Sequence, residues 1–220
     1  EVDGKDFNSN TDMVERSYLR TRLGLEFSRI ENTIVYLQIQ DSRNLGTNSA
    51  GLTNDNNLGI HQAYIKFMLP GIEGGWMQVG RFEAKYGRQR VIGAVGWSNV
   101  GRTFDGLRLG YDGGFMSFDV FLMKIVERGF NTPPRAGDHH LYGLYTRWLS
   151  DHFHLFGLLD YDHQESFPGS NEATIARYTV GTYYHRQTEY GLDFNLDFAY
   201  QGGEHDMINV ETIKAYMVAA

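Results

Sequence analysis

The chain has 220 residues and a net charge of −7, with 26 Gly, 4 Pro, 14 Tyr, 14 Phe and no Cys. The missing cysteines exclude disulfide scaffolds, thiolate zinc sites and cysteine nucleophiles, and an acidic balance with a pI near 5.6 argues against nucleic acid as a partner. No apolar run approaches the ~20 residues of a spanning helix, but a membrane strand needs an apolar residue only at alternate positions, so a mean hydropathy of −0.41 leaves a β-barrel open.

In chain order, the opening EVDGKDFNSNTD carries neither the basic region nor the apolar core of a signal peptide. From residue 14 a period of two sets in. Over 14–29, Leu19, Thr21, Leu23, Leu25 and Phe27 alternate with Tyr18, Arg20, Arg22, Gly24 and Glu26. Over 34–43, Val35, Leu37 and Ile39 oppose Tyr36, Gln38 and Gln40. Further strands are predicted at 59–68, 76–83, 102–112, 115–125, 139–149, 152–161, 173–186, 190–201 and 208–220. The 190–201 strand is the clearest. Leu192, Phe194, Leu196, Phe198 and Tyr200 form one wall, and Asp193, Asn195, Asp197, Ala199 and Gln201 the other. A strand alternates its side chains between two faces, whereas a helix would scatter these acids around its circumference.

Connectors alternate in length. Short ones are predicted at 30–33, 69–75, 112–114, 150–151 and 187–189. Long ones are predicted at 44–58, 83–101, 126–138, 163–172 and 202–207. Outer-membrane barrels have short periplasmic turns and longer extracellular loops. This rhythm sends the first strand toward the periplasm and places residues 1–12 in an extracellular loop. Eleven strands is an odd number, bacterial single-chain barrels have even counts, and the end AYMVAA lacks a closing aromatic. The expectation is one domain over 1–220, an internal portion of a larger antiparallel transmembrane β-barrel. Such a portion would leave unpaired edges near 14–29 and 208–220. A soluble β-sandwich or β-solenoid is the competing architecture, but its strands are seldom so uniformly nine to eleven residues long.

The basic segment 78–112 reverses the sign of an acidic protein. Arg81, Lys85, Arg88, Arg90 and Arg102 flank a single acid, Glu83. Two placements follow for the 83–101 loop. Folded inward, it narrows the pore and offers guanidinium groups to carboxylates or phosphates. Projecting outward, it pairs with neighbouring acids or with lipopolysaccharide phosphates. Alternation assigns Arg20, Arg22, Lys66, Arg102, Arg108, Arg147, Arg177 and Lys214 to the water-facing side, with Glu26, Asp119, Asp160, Asp193 and Asp197 among them. His152, His154, Asp160, Asp162 and His163 define no complete ligand set, and Glu204-His205-Asp206 reads as a solvated loop tip. Asp193 and Asp197 lie about 13–14 Å apart along a strand, too far for a glycosidase pair. Neither a Gly-x-Ser-x-Gly elbow nor a P-loop occurs.

In RTRLGLEF (20–27), YLQIQDSR (36–43), QAYIKF (62–67), VGRFEAKYGRQRVIG (79–93) and GWSNVGRTFDGLRLGY (96–111), the chain resembles the alginate export porins. The resemblance implies an 18-stranded barrel with an arginine-rich lumen that passes an anionic polysaccharide outward. It implies strands before residue 1 and after residue 220. The candidate pore-lining residues are Arg20, Arg22, Lys66, Arg81, Lys85, Arg88, Arg90, Arg102, Arg108, Arg147 and Arg177. Expected partners are outer-membrane lipid and lipopolysaccharide, a polar or anionic solute, and other envelope proteins. No cofactor, metal or catalytic residue is expected. A structural or adhesive barrel without transport, and a barrel-embedded hydrolase, are the alternative functions.

Overall fold

The computed structural model describes residues 17–45, 58–126, 139–164, 173–206 and 210–219. The expected loop at 1–12, the start of the first strand at 14–16 and three of the long connectors fall largely outside these residues. Eleven strands form one antiparallel sheet in sequence order. They are β1 (Ser17–Phe27), β2 (Thr33–Leu45), β3 (Leu58–Met68), β4 (Gly75–Phe82), β5 (Phe104–Asp112), β6 (Met116–Val126), β7 (His139–Trp148), β8 (Phe153–Gln164), β9 (Ala173–Gln187), β10 (Asp193–Asp206) and β11 (Val210–Ala219). Each strand pairs with its neighbours in the chain, and β1 and β11 form the two edges.

Both ends of β10 differ from the alternation-based expectation. β10 begins at Asp193 because 188–192 close a turn, in which Thr188 N donates to Leu192 O at 2.8 Å. β10 also continues through 202–206, where a loop was expected from Gly202-Gly203. A Cβ on Gly202 would meet the Tyr178 hydroxyl at 2.5 Å and its ring at 2.6 Å, so this glycine makes room for a cross-strand aromatic rather than a turn.

The register carries one set of side chains to each face. On one face stand Leu23, Leu37, Ile65, Val79, Leu109, Val120, Leu144, Leu159, Val180, Phe198 and Val218, all exposed. An apolar wall running continuously over eleven strands far exceeds the patch a soluble monomer shows to water. It is the lipid-facing side of a membrane barrel.

The other face holds the core, because the segment between β4 and β5 lies across it. Ala84, Tyr86 and Ile92 of that segment pack on Phe82, Phe104, Phe121, Met123, Leu141, Tyr145 and Leu158. Tyr86 stacks between Phe121, at 5.4 Å, and Tyr145, at 4.5 Å. The same segment reaches β1, where Arg20 Nη1 donates to Ser98 O at 2.6 Å, and β10, where Arg90 meets Asp197 at 3.1 Å. On a flat sheet β1 and β10 would lie nine spacings of ~4.8 Å apart, or ~43 Å. One short segment thus meets strands near both edges of the sheet, as a segment enclosed by a curled sheet does, which makes this the inner face.

Two predictions follow from this arrangement. Leu144→Arg, in the middle of β7 on the outer wall, should destabilise the barrel by about 2–4 kcal/mol in a bilayer titration with urea, while Asn195→Arg on the inner face should cost far less. Tyr86→Ala should remove about 3 kcal/mol of packing from the inner segment alone. Hydrogen exchange at the Arg102 amide, which bonds Ala94 O at 2.7 Å, should then accelerate roughly a hundredfold while strand amides stay protected.

Candidate functional site

Residues 83–103 form a compact insert. Positive φ at Gly87 (51°) and Gln89 (61°) closes a tight turn, with Gln89 N donating to Tyr86 O at 2.9 Å. A second turn at Val95 (φ 50°) precedes a return bond from Arg102 N to Ala94 O at 2.7 Å. Apolar contacts hold the Tyr86 end to β5–β8, and polar contacts hold the Ser98 end to β1–β3. There Gln40 Nε2 donates to Val100 O at 2.8 Å, and Ser42 Oγ to Asn99 O at 2.9 Å.

A β-bulge strengthens the second anchorage. The β2–β3 register shifts between Gln38 and Ile39, which leaves His61 as an extra residue beside Gln62. His61 Nε2 lies 2.8 Å from Glu83 Oε1, and Glu83 N donates to Gln62 Oε1 at 3.1 Å. Glu83 Oε1 also accepts from Arg22 at 3.0 Å, and Lys85 Nζ approaches Oε2 at 2.6 Å. Burial pushes the Glu83 carboxyl up, but Lys85, His61 and Arg22 outweigh it and hold the group below the usual carboxylate range. The single acid of the basic segment thus ties it to the wall.

Ion pairs neutralise much of the inner face. Arg108 bonds Asp119, which also accepts from Tyr86 Oη at 2.9 Å. Arg147 bridges Asp112 at 2.9 Å and lies 3.9 Å from Asp119. Arg177 pairs with Asp160, and Arg90 with Asp197. Four cations of the inner face and the insert have no acid within ion-pair distance among the described residues. Arg20 is held by the carbonyls of Ser98 and Gly96, and Lys66 sits 4.2 Å over the Trp76 ring. Arg88 and Arg102 are exposed on the insert. Arg102 precedes β5 and so belongs to the insert rather than to the strand it was expected to begin.

Two positions expected on the inner face lie on the outer one. Arg81 follows Val79 and shares its face, where Asp105 accepts from its Nε at 2.7 Å and its Nη2 at 2.6 Å. The strand ends at Phe82, so inclusion in the basic run did not carry Arg81 inward. Lys214 pairs in register with Gly202, on the face of Tyr178 and Tyr200, because β11 aligns one residue out of phase with the expected pattern.

Below the insert lies a polar cavity of about 450 Å³, lined by Lys66, Lys85, Arg108 and Arg147 together with Trp76, Tyr86, Tyr145, Asp112, Asp119 and His154. It opens toward the end of the sheet that carries the short turns. His154 is committed to structure: its Nδ1 lies 2.6 Å from Tyr145 Oη, and its Nε2 3.0 Å from Asp151 O. Asp193 lies 2.9 Å from His185. Among the described residues no group of three potential ligands could hold a metal ion.

The aromatic and histidine members, Trp76, His61, Tyr86 and Tyr145, escaped alternation-based reading. One signal pointed to Tyr86 and Tyr145, which pack on β6. Phe121-Leu122-Met123 in β6 is apolar on both faces, which a strand with lipid on one side and water on the other does not require.

No curated protein matches the chain. The family described as alginate export matches residues 6–220. With that match covering nearly the whole chain, and with an antiparallel sheet of outer-membrane type, the protein belongs to the alginate export family.

Proposed function

We propose that the protein is an outer-membrane channel for anionic polyuronate of the alginate class, in which the 83–103 insert forms the constriction and sets charge preference. The observation carrying this reading is the distribution of unpaired charge. Glu83, Asp112, Asp119, Asp160 and Asp197 of the inner face are paired with Arg22, Lys85, Arg90, Arg108, Arg147 and Arg177, while Arg20, Lys66, Arg88 and Arg102 keep no acidic partner among the described residues. Lys85 stays more than half exposed despite its contact with Glu83. A carboxylated chain passing the insert meets cations whose charge is not already cancelled.

Conduction needs binding weak enough to release. Isolated cations spaced along a wet path give many shallow sites rather than one deep one. Guanidinium groups suit carboxylates because their donors match both oxygens. The solute passes unchanged, so the reading requires no catalytic step.

The test separates exposed cations from structural ones. Arg90 secures Asp197, so replacing it would move the insert; Arg88 and Arg102 carry no such contact. R88E combined with R102E should shift the reversal potential toward cations in a salt gradient across a planar bilayer, most at low ionic strength. Block of the current by oligouronates should weaken in parallel. An unchanged reversal potential in an inserted, conducting channel would remove the insert from charge selection.

A further inference from the structure

The chain has three tryptophans. Trp76 is buried, with its Nε1 donating to Asp112 at 2.8 Å, and Trp148 is half-buried, with its Nε1 donating to Thr146 at 2.8 Å. Trp97, on the insert, is 90% exposed. It stands at a corner of the turn that the Ser98 N to Val95 O bond closes at 3.0 Å. One guanidinium clasps the carbonyls on both sides of it: Arg20 Nη2 donates to Gly96 O at 3.1 Å and Nη1 to Ser98 O at 2.6 Å. Two residues on, Asn99 Nδ2 donates to Arg43 O at 3.2 Å, and Asn99 O accepts from Ser42 Oγ at 2.9 Å. A Cβ added at Gly96 would meet nothing within 4 Å, so the turn borders open space. The backbone around Trp97 is therefore fixed while its ring is left uncovered.

We infer that Trp97 is a stacking platform for a sugar ring of the permeating chain, with Arg20 beside it to take that ring's carboxylate; the inference rests on the channel reading given above. Tryptophan is highly buried on average, and an indole held in water forfeits the burial that an aromatic of this size contributes. The insert lies on the inner face, so lipid does not cover the ring. A pyranose carries its hydroxyls around its edge and its C–H groups on its faces. Those weakly positive C–H groups match the negative face of an aromatic ring. The neighbouring charge selects an acidic sugar over a neutral one. Arg20 has no acid within ion-pair distance among the described residues, and carbonyl acceptors leave its charge uncancelled. A guanidinium has five N–H donors, and the two carbonyls do not use them all. A turn already clasped in place adds little ordering cost when a solute binds. A single ring face remains a shallow site, as release into a channel requires.

Block of the current by short oligomannuronates in planar bilayers tests this. Trp97→Ala should weaken block about fivefold. Trp97→Phe should keep most of the block, whereas Trp97→Leu, bulky and apolar but without a π face, should lose as much as Trp97→Ala. The reversal potential in a salt gradient should stay at the parent value in all three, because the ring carries no charge. Carboxyl-reduced oligomers of the same length should block less than the uronates. The fluorescence difference between the parent and Trp97→Phe should be quenched by acrylamide, and adding the oligomannuronate should protect it. Heat-modifiable migration on gels checks that each variant is folded. Parent-like block by folded Trp97→Ala, or equal block by the carboxyl-reduced oligomers, would overturn the platform. So would a shifted reversal potential in Trp97→Ala, which would make Trp97 a prop for the insert, or shielding from acrylamide without added solute, which would show the protein itself covering the ring. Anion preference that depends on Arg88 and Arg102, with block indifferent to Trp97, would overturn the platform and leave the channel reading standing. A conducting parent that oligomannuronates do not block would overturn both.

Discussion

A strand that crosses a bilayer can hide its backbone only by pairing, and can offer water only one of its two faces. That constraint explains most of what is seen here. It forces alternation, puts Leu23, Val120, Leu144 and Val180 on one side, and lets a protein of mean hydropathy −0.41 carry a continuous apolar wall. It also explains why two charged residues of the outer face, Arg81 and Asp105, are paired with each other at the rim.

The inner face obeys a different rule. A curved sheet of this width encloses more space than its own side chains fill, and the 83–103 insert occupies part of it. The insert has an apolar end, with Tyr86 stacked on Phe121 and Tyr145, and a polar end, with Glu83 drawing in Arg22, His61 and Lys85. Each end is anchored on a different part of the arc, so the insert braces the curvature while presenting Arg88 and Arg102 to the space beside it. Of its four cations, Lys85 meets Glu83 within the insert and Arg90 meets Asp197 on the wall, while Arg88 and Arg102 stay exposed.

Much of this was legible in the residues. Strict alternation in β1, β2 and β10 predicted both walls, and the sign reversal from Arg81 to Arg102 pointed to a distinctive segment. Three features were not legible. The Arg81 side chain follows strand phase rather than the chemistry of its neighbours, and only the β4 register shows its direction. The β3 bulge that turns His61 inward is a pairing event, invisible without the partner strand. Gly202-Gly203 resembles a turn, and its role as space for Tyr178 depends on β9 lying alongside. Local pattern carries the faces of a strand; contacts distant in sequence decide phase shifts, bulges and where a loop folds.

The account rests most heavily on the insert lying against the inner face. Lys85, Arg88, Arg90 and Arg102 make it rich in trypsin sites. Cleavage requires an extended, accessible backbone, which a segment packed between strands does not offer without local opening. Trypsin digestion of intact outer-membrane vesicles, with fragments identified by mass spectrometry, tests this placement directly. The account predicts that these four sites stay uncut under conditions that cleave other extracellular loops, and that Tyr86→Ala exposes them. Rapid cleavage after Arg88 or Arg102 in the folded parent protein would contradict it.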